Sequence, residues 1–291
     1  GKFLHTREVT NVDPSPSSAP THNQSVIRMN RDTLYSEVAL DLTSPAFVTY
    51  PDVGDRFISL MCGSESHDIF PAVYEPGRYL ITDNDCGCEP PCSANKDGHL
   101  CMAVGTPKAF VILRTLADAN NASDMTAAHQ AQDGFVVEQA NEGKWDVPDW
   151  NQSDLTAIRE HLIALKVTSK EPLVYGFFTG PEKIDHLFGI LSVAAGWGGA
   201  LAQDQTYFFW VAQAKSDTFT LKMPANVPLE RLGFWSVTVY NKEGFIFALP
   251  SNYNSAVEGP SGLNPDGSTT VYFGDCDDPA RQKPSPAHCL E

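Results

Sequence analysis

Asn30-Arg31-Asp32-Thr33-Leu34-Tyr35-Ser36 puts an amide, a guanidinium, a carboxylate and a phenol into one short stretch. A strand-like run, Glu37-Val38-Ala39-Leu40-Asp41-Leu42, follows at once. Buried polar groups need partners, so the stretch is either a polar junction or the lip of a site. Arg31 offers a planar fork that suits a carboxylate or sulfate. Glu65-x-His67, read as strand, points both side chains to one face, as two groups of one site require. The candidate ligand-binding set is Asn30, Arg31, Asp32, Tyr35, Glu65 and His67, at a site between two β domains. The competing reading is that Arg31 and Asp32 pair with each other or with backbone and lock the domain junction.

No catalytic residue can be assigned. Gly63-Ser64-Glu65-Ser66-His67 is not Gly-x-Ser-x-Gly, and nothing marks a triad. Gly196-Trp197-Gly198-Gly199 follows a helical pattern, so it is not a phosphate loop after a strand. No cofactor is expected. The acidic loops Asp83-Asn84-Asp85 and Asp275 to Asp278 are at most weak Ca²⁺ sites, because they lack EF-hand spacing. Tyr207-Phe208-Phe209-Trp210 can line a pocket, but such a run is more often core.

Cysteine is unevenly placed. Cys86, Cys88, Cys92 and Cys101 crowd one Gly/Pro-rich segment, and Cys276 and Cys289 flank a loop near the end. The cluster fits disulfides better than zinc, whose sites usually begin from Cys-x2-Cys. Its internal pairing has three possibilities, and spacing does not choose among them. A Cys276–Cys289 bond closes a short loop, worth about 3 kcal/mol in the chain-entropy model. Cys62, alone in a strand-like run, is then a buried free thiol. Sequons at Asn23, Asn121 and Asn151 lie in polar segments, as glycosylation acceptors must. Cysteines and sequons together favour a secreted, extracellular glycoprotein.

The elements that position these residues follow from pattern. A chain of 291 residues exceeds what one core usually carries. Residues 1–25, with Pro14, Pro16 and Pro20, read as an extended arm. Residues 26–115 form a β domain of short strands, interrupted by a cysteine-rich loop at 83–101. Residues 116–200 are a helical connector. Leu155, Ile158, Leu162 and Leu165 share a face of one helix, and Ile184, Leu187, Ile190, Leu191 and Ala194 point inward from another. Residues 201–291 return to a period of two, with Trp235, Val237 and Val239 on one face and a hairpin turn at Asn241 to Gly244. The fold class is mainly β, two antiparallel sandwich or jelly-roll-like domains joined by helices.

Net charge is −16. A surface so acidic repels phosphate backbones, so nucleic acid is not an expected partner. The longest uncharged stretch, Leu187 to Gln203, is short and broken by glycines, so no membrane insertion is expected.

Asn-Arg-Asp-Thr-Leu-Tyr-Ser followed by a strand resembles the uncharacterised domain family numbered 1254. Ala195-Gly196-Trp197-Gly198-Gly199, then Phe234 to Asn241, then Asn264-Pro265-Asp266-Gly267-Ser268 resemble its usual partner, family 1214. Order and spacing match over roughly residues 26–275. The resemblance implies two sandwich-like domains joined by helices, mostly in exported proteins, with no established reaction. The cysteine-rich segment is outside the family pattern. The family also continues with further strands where this sequence stops, either because the sequence is cut short or because the strands are absent. An edge without them is open to another chain. The functional expectation is an extracellular structural or binding module that self-associates as a homo-oligomer. The alternative is an enzyme acting on a small molecule or glycan at the Asn30–Tyr35 site.

Overall fold

The computed structural model describes residues 2–8, 28–119, 121–144, 146–169, 185–211, 218–227, 229, 233–241, 244–246, 255–257, 264–281 and 289–290. Two compact units emerge. One comprises Gly1–Arg7, Leu34–Leu116 and Ser123–Phe208; the other comprises Glu8–Thr33, Ala117–Ala122 and Phe209–Glu291.

The first unit holds β1 (Leu4–His5), β2 (Thr33–Asp41), β3 (Ala46–Tyr50), β4 (Ile58–Ser64), β5 (Gly77–Thr82), β6 (Cys92–Lys96), β7 (His99–Ala103), β8 (Lys108–Leu116) and β9 (Val136–Gln139). They form two sheets, ordered β1-β2-β8-β4 and β6-β7-β5-β3-β9. Alternation along β2 sends Val38 and Leu40 inward, where they join Leu60 and Leu113 from the same sheet. Val48, Tyr50, Ile81 and Met102 meet them from the other sheet. Each such side chain contributes about 1.5–3 kcal/mol on burial. The result is the mainly β sandwich architecture that the alternation predicts.

Residues near the start belong to this unit. Leu4 and His5 pair antiparallel with Glu37 and Ser36. Gln132, fully buried on helix α1 (Ala122–Asp133), fixes the pairing: the two N–H groups of its Nε2 are shared among Thr6 O (3.1 Å), Tyr35 O (3.2 Å) and Ser36 Oγ (3.0 Å).

The cysteine-rich segment is more than the expected loop. β6 and β7 form a hairpin closed by Asp97-Gly98, both at positive φ, the backbone that a two-residue primed turn needs. The bonds are Cys86–Cys101 and Cys88–Cys92, one of the three open pairings, and Cys276–Cys289 forms as well. Cys62 is the buried free thiol, and burial pushes it up to about 12.

Helices α2 (Gln152–Ser169) and α3 (His186–Ala195) correct the sequence reading. Asn151 caps α2, its Oδ1 accepting from Ser153 N (2.9 Å). Leu155, Ile158, Leu165, Leu187 and Ile190 are exposed, whereas Leu191 is buried. Periodicity marks an apolar face without saying what covers it, and these helices pack chiefly on each other. Ile184 lies outside the described residues.

The second unit contains β10 (Phe219–Met223), β11 (Ser236–Thr238), β12 (Ser255–Val257), β13 (Thr269–Phe273) and β14 (Cys289–Leu290). Its core gathers Trp235, Val271 and Leu290, with Val237 and Val239 against them, as the period-two reading requires. A bridge between Tyr240 and Ile246 closes the expected hairpin.

One position tests the packing of the first sheet. Gly63 on β4 sits opposite Phe110 on β8. A Cβ at Gly63 would lie 2.3 Å from Phe110 Cζ and 2.9 Å from Ile69 Cδ1. Phe110 is itself packed against Trp197, with ring centres 5.1 Å apart, so it has little room to swing aside. Gly63→Ala is expected to destabilise the protein by about 2 kcal/mol through overpacking. A urea-denaturation midpoint unchanged by the substitution would contradict this packing.

Candidate functional site

The outer face of the β1-β2-β8-β4 sheet is where sequence-distant groups converge. Alternation that buries Leu34 and Val38 in β2 turns Tyr35 outward, and alternation in β8 turns Phe110, Ile112 and Arg114 the same way. The segment after α3 lies over this face. Leu201 and Ala200 pack with Met61, Ile69, Ile112, Tyr35 and Phe110.

His67 pins one end of that cover. The strand β4 stops at Ser64, so Glu65 and His67 do not share a strand face as expected. His67 N donates to Ser64 O (3.0 Å), and its φ of 65° makes a tight turn. The turn points Glu65 to solvent, 3.9 Å from Lys108 Nζ, and brings the His67 ring against Phe110 and Trp197. Gly198 N donates to His67 Nε2 (3.0 Å). A ring nitrogen that accepts an N–H carries no proton, so His67 is the neutral tautomer protonated at Nδ1. Burial holds its pKa down at about 4.

The other end is polar. Arg114 Nη1 donates to Gln205 Oε1 (3.1 Å), and Arg114 Cζ lies 6.0 Å from the Tyr35 ring centre. Asp204 accepts from Ala72 N (2.9 Å) and the Tyr74 hydroxyl (3.1 Å). Burial raises the Asp204 carboxyl, and burial beside Asp204 raises the Tyr74 phenol. The Tyr207 residue is 37% exposed, yet burial around its hydroxyl, with Tyr35 near, pushes it up to about 12 against the pull of Arg114. Sequence reasoning named Tyr35 and His67 here and missed Tyr74, Arg114, Asp204 and Gln205.

Asn30, Arg31 and Asp32 belong to the second unit. Asn30 Oδ1 accepts from Asp32 N, Thr33 N (both 3.1 Å) and Thr33 Oγ1 (3.0 Å). Asp32 is buried, and its carbonyl accepts from Ala117 N (2.9 Å). Tyr240 donates its hydroxyl to Met29 O (3.0 Å), and Arg28 N donates to Gly244 O (2.7 Å). Desolvation lowers the Arg31 pKa, and the Asp32 charge opposes that shift. The motif is thus a hydrogen-bonded knot that launches β2, built mainly on backbone groups.

Among the described residues, no group of three or more His, Cys, Asp or Glu is placed to hold a metal ion. No described helix is long and apolar enough to cross a membrane. Asn121 and Asn151 are exposed, and Asn23 lies outside the described residues. The run Tyr207 to Trp210, expected as core, is exposed.

A β-sandwich unit and a smaller β unit, with a helix pair in the connecting sequence, define a two-domain β protein. Residues 9–139 match the family model described as "Protein of unknown function (DUF1254)" and residues 211–286 the one described as "Protein of unknown function (DUF1214)". The chain belongs to the proteins that carry these two domains in this order. It is similar in fold to the VPA0106 protein from Vibrio parahaemolyticus, with a TM-score of 0.63 and 15% identity, over 90% of this chain and 82% of that one. An uncharacterised protein from Burkholderia cenocepacia gives a TM-score of 0.44 at 14% identity, over 94% of this chain and 73% of that one. None of the curated proteins compared matches the chain.

The His67 pairing has a pH consequence. Its folded pKa, about 4, is below the ordinary 6.5, so the unfolded chain binds the proton more readily between these values. This contribution is complete above pH 6.5 and is lost as pH falls towards 4, at up to ~1.4 kcal/mol per pH unit. The expected result is that His67→Gln flattens the fall in stability across this window in denaturant titrations. A mutant that tracks the parent across the window would refute the assignment.

Proposed function

We propose that the protein is an exported extracellular module, structural or binding in role, that works by self-association. The observation that carries this reading is the run Phe208-Phe209-Trp210-Val211, exposed at 93, 62, 64 and 73%. Contiguous apolar groups of this size on a soluble surface mark an interaction site. Ile158, Leu165, Leu187 and Ile190 add exposed apolar surface on α2 and α3. Burying each large side chain against a second copy contributes ~1.5–3 kcal/mol. The net charge of −16 opposes association, and salt screens that repulsion. Three disulfides support an oxidising compartment, as do the exposed sequons Asn121 and Asn151. Two of the candidate ligand-binding residues support a non-catalytic reading: Asn30 and His67 are committed to backbone N–H groups.

Sedimentation equilibrium tests the proposal. The native chain is expected to form a discrete oligomer that tightens as NaCl is raised. Phe208→Ser/Trp210→Ser is expected to weaken association at least tenfold, about 1.4 kcal/mol, with the melting curve retained. A native chain that stays monomeric at every salt concentration would overturn the reading.

A further inference from the structure

We propose that the edge of β2 beside the last turn of α1 is a strand-acceptor site, and that it takes the Phe3-to-Arg7 segment of a second copy, so that copies exchange β1. This rests on the self-association reading and names the segment that passes between copies. The segment is held as a bound peptide is held. Beside the ladder pairs Leu4–Glu37 and His5–Ser36, Thr6 N donates to Tyr35 O (2.8 Å) and Tyr35 N donates to Thr6 Oγ1 (2.8 Å). Helix α1 meets the carbonyls that follow: Gln132 Nε2 reaches Thr6 O, and His129 Nε2 donates to Arg7 O (2.6 Å). In strand addition, main-chain bonds of this kind supply affinity and alternate side chains supply specificity.

The alternate side chains are Phe3, His5 and Arg7, and each has a matched partner. Phe3 packs on the inter-sheet core, its ring centre 6.2 Å from that of Phe135. Ser36 Oγ accepts from Gln132, which leaves its own proton for His5 Nδ1 (2.8 Å). Arg7 Nη1 donates to His129 O (3.0 Å) and Nη2 pairs with Asp133, at the helix end that attracts positive charge. Leu4, between them, is exposed. The connection makes the segment exchangeable. Gly1–Arg7 belongs to the first unit, Glu8–Thr33 to the second, and the chain re-enters the first only at Leu34. So β1 is joined to its acceptor through a stretch outside their common unit. A strand taken from an identical chain makes the same bonds, so exchange costs little in contacts. Copies already held by another surface present each other's segments at high local concentration.

The test is a disulfide trap in the full chain. Leu4 and Glu37 are directly opposed and both exposed, so Leu4→Cys/Glu37→Cys sets two thiols within bonding reach across β1 and β2. The variant is oxidised with copper phenanthroline and sized on gels without reductant, beside sedimentation equilibrium of the native chain. Exchange predicts that the new bond joins two chains, with about tenfold or more covalent dimer than either single-cysteine variant gives. An oligomeric native chain whose cysteine pair closes within one chain, or not at all, overturns the exchange and leaves self-association standing. A native chain that is monomeric at every salt concentration overturns both. Melting curves report whether the variant folds. If it does not, an oligomer of mixed isotope-labelled and unlabelled native chains decides the question: filtered NOEs between the Phe3 and Phe135 rings of different copies are expected, and their absence overturns the exchange.

Discussion

The missing side chain at Gly63 sets the outer face of the first sheet. Phe110 lies in the space where a Cβ would project, and its ring becomes a shelf for Trp197. Trp197 arrives from a glycine-rich turn, and the next residue, Gly198 at φ 84°, gives its N–H to His67. From there the chain continues across Met61 and Ile112 to reach Arg114. A cross-strand Gly–Phe pair, a tryptophan and a neutral histidine thus fix the segment that supplies Asp204, Gln205 and Tyr207. Packing at one end of the face positions polar groups at the other.

The inter-sheet core and the disulfides have separate tasks. The core draws on both sheets, and Met102 of β7 joins it from the end of the cysteine-rich segment, with Leu100 packed against it. Cys86–Cys101 and Cys88–Cys92 secure the β6–β7 hairpin at the sheet margin, where Leu80, Cys86, Cys101 and Ala103 make a small cluster of their own. In the second unit, Cys276–Cys289 ties β14 to the loop after β13, and Leu290 completes a core of few residues. Small cores gain most from such staples.

Strands β2, β3, β4 and β8 were legible because each alternates or runs apolar against a single core. The cysteine-rich strand β6 was not, since Ser93, Asn95 and Lys96 carry no apolar pattern and its pairing follows from the turn and the disulfides. β9 was missed because four residues give too short a pattern to read. The apolar faces of α2 and α3 were seen, but their burial was assumed, and sequence does not show what covers a face. Tyr35 and His67 stood out as candidate groups, although the Glu65–His67 geometry depended on a strand that ends at Ser64, before either residue. Arg114, Tyr74 and Asp204 were invisible for a different reason. Each is an ordinary polar residue alone in its segment, and only strand pairing and the folded-back cover bring them together.

The central claim is that the glycine-rich turn is pinned to the sheet by the Gly198–His67 hydrogen bond. Amide hydrogen exchange at Gly198, read by NMR near pH 7, tests it most directly. The account predicts an N–H protected at least a hundredfold over the unstructured peptide rate, about 2.7 kcal/mol of local stability, with that protection lost as pH falls towards 4. Exchange of Gly198 at the unstructured rate at pH 7 would mean that the cover is not held, and the arrangement of Arg114, Gln205 and Tyr207 would lose its support.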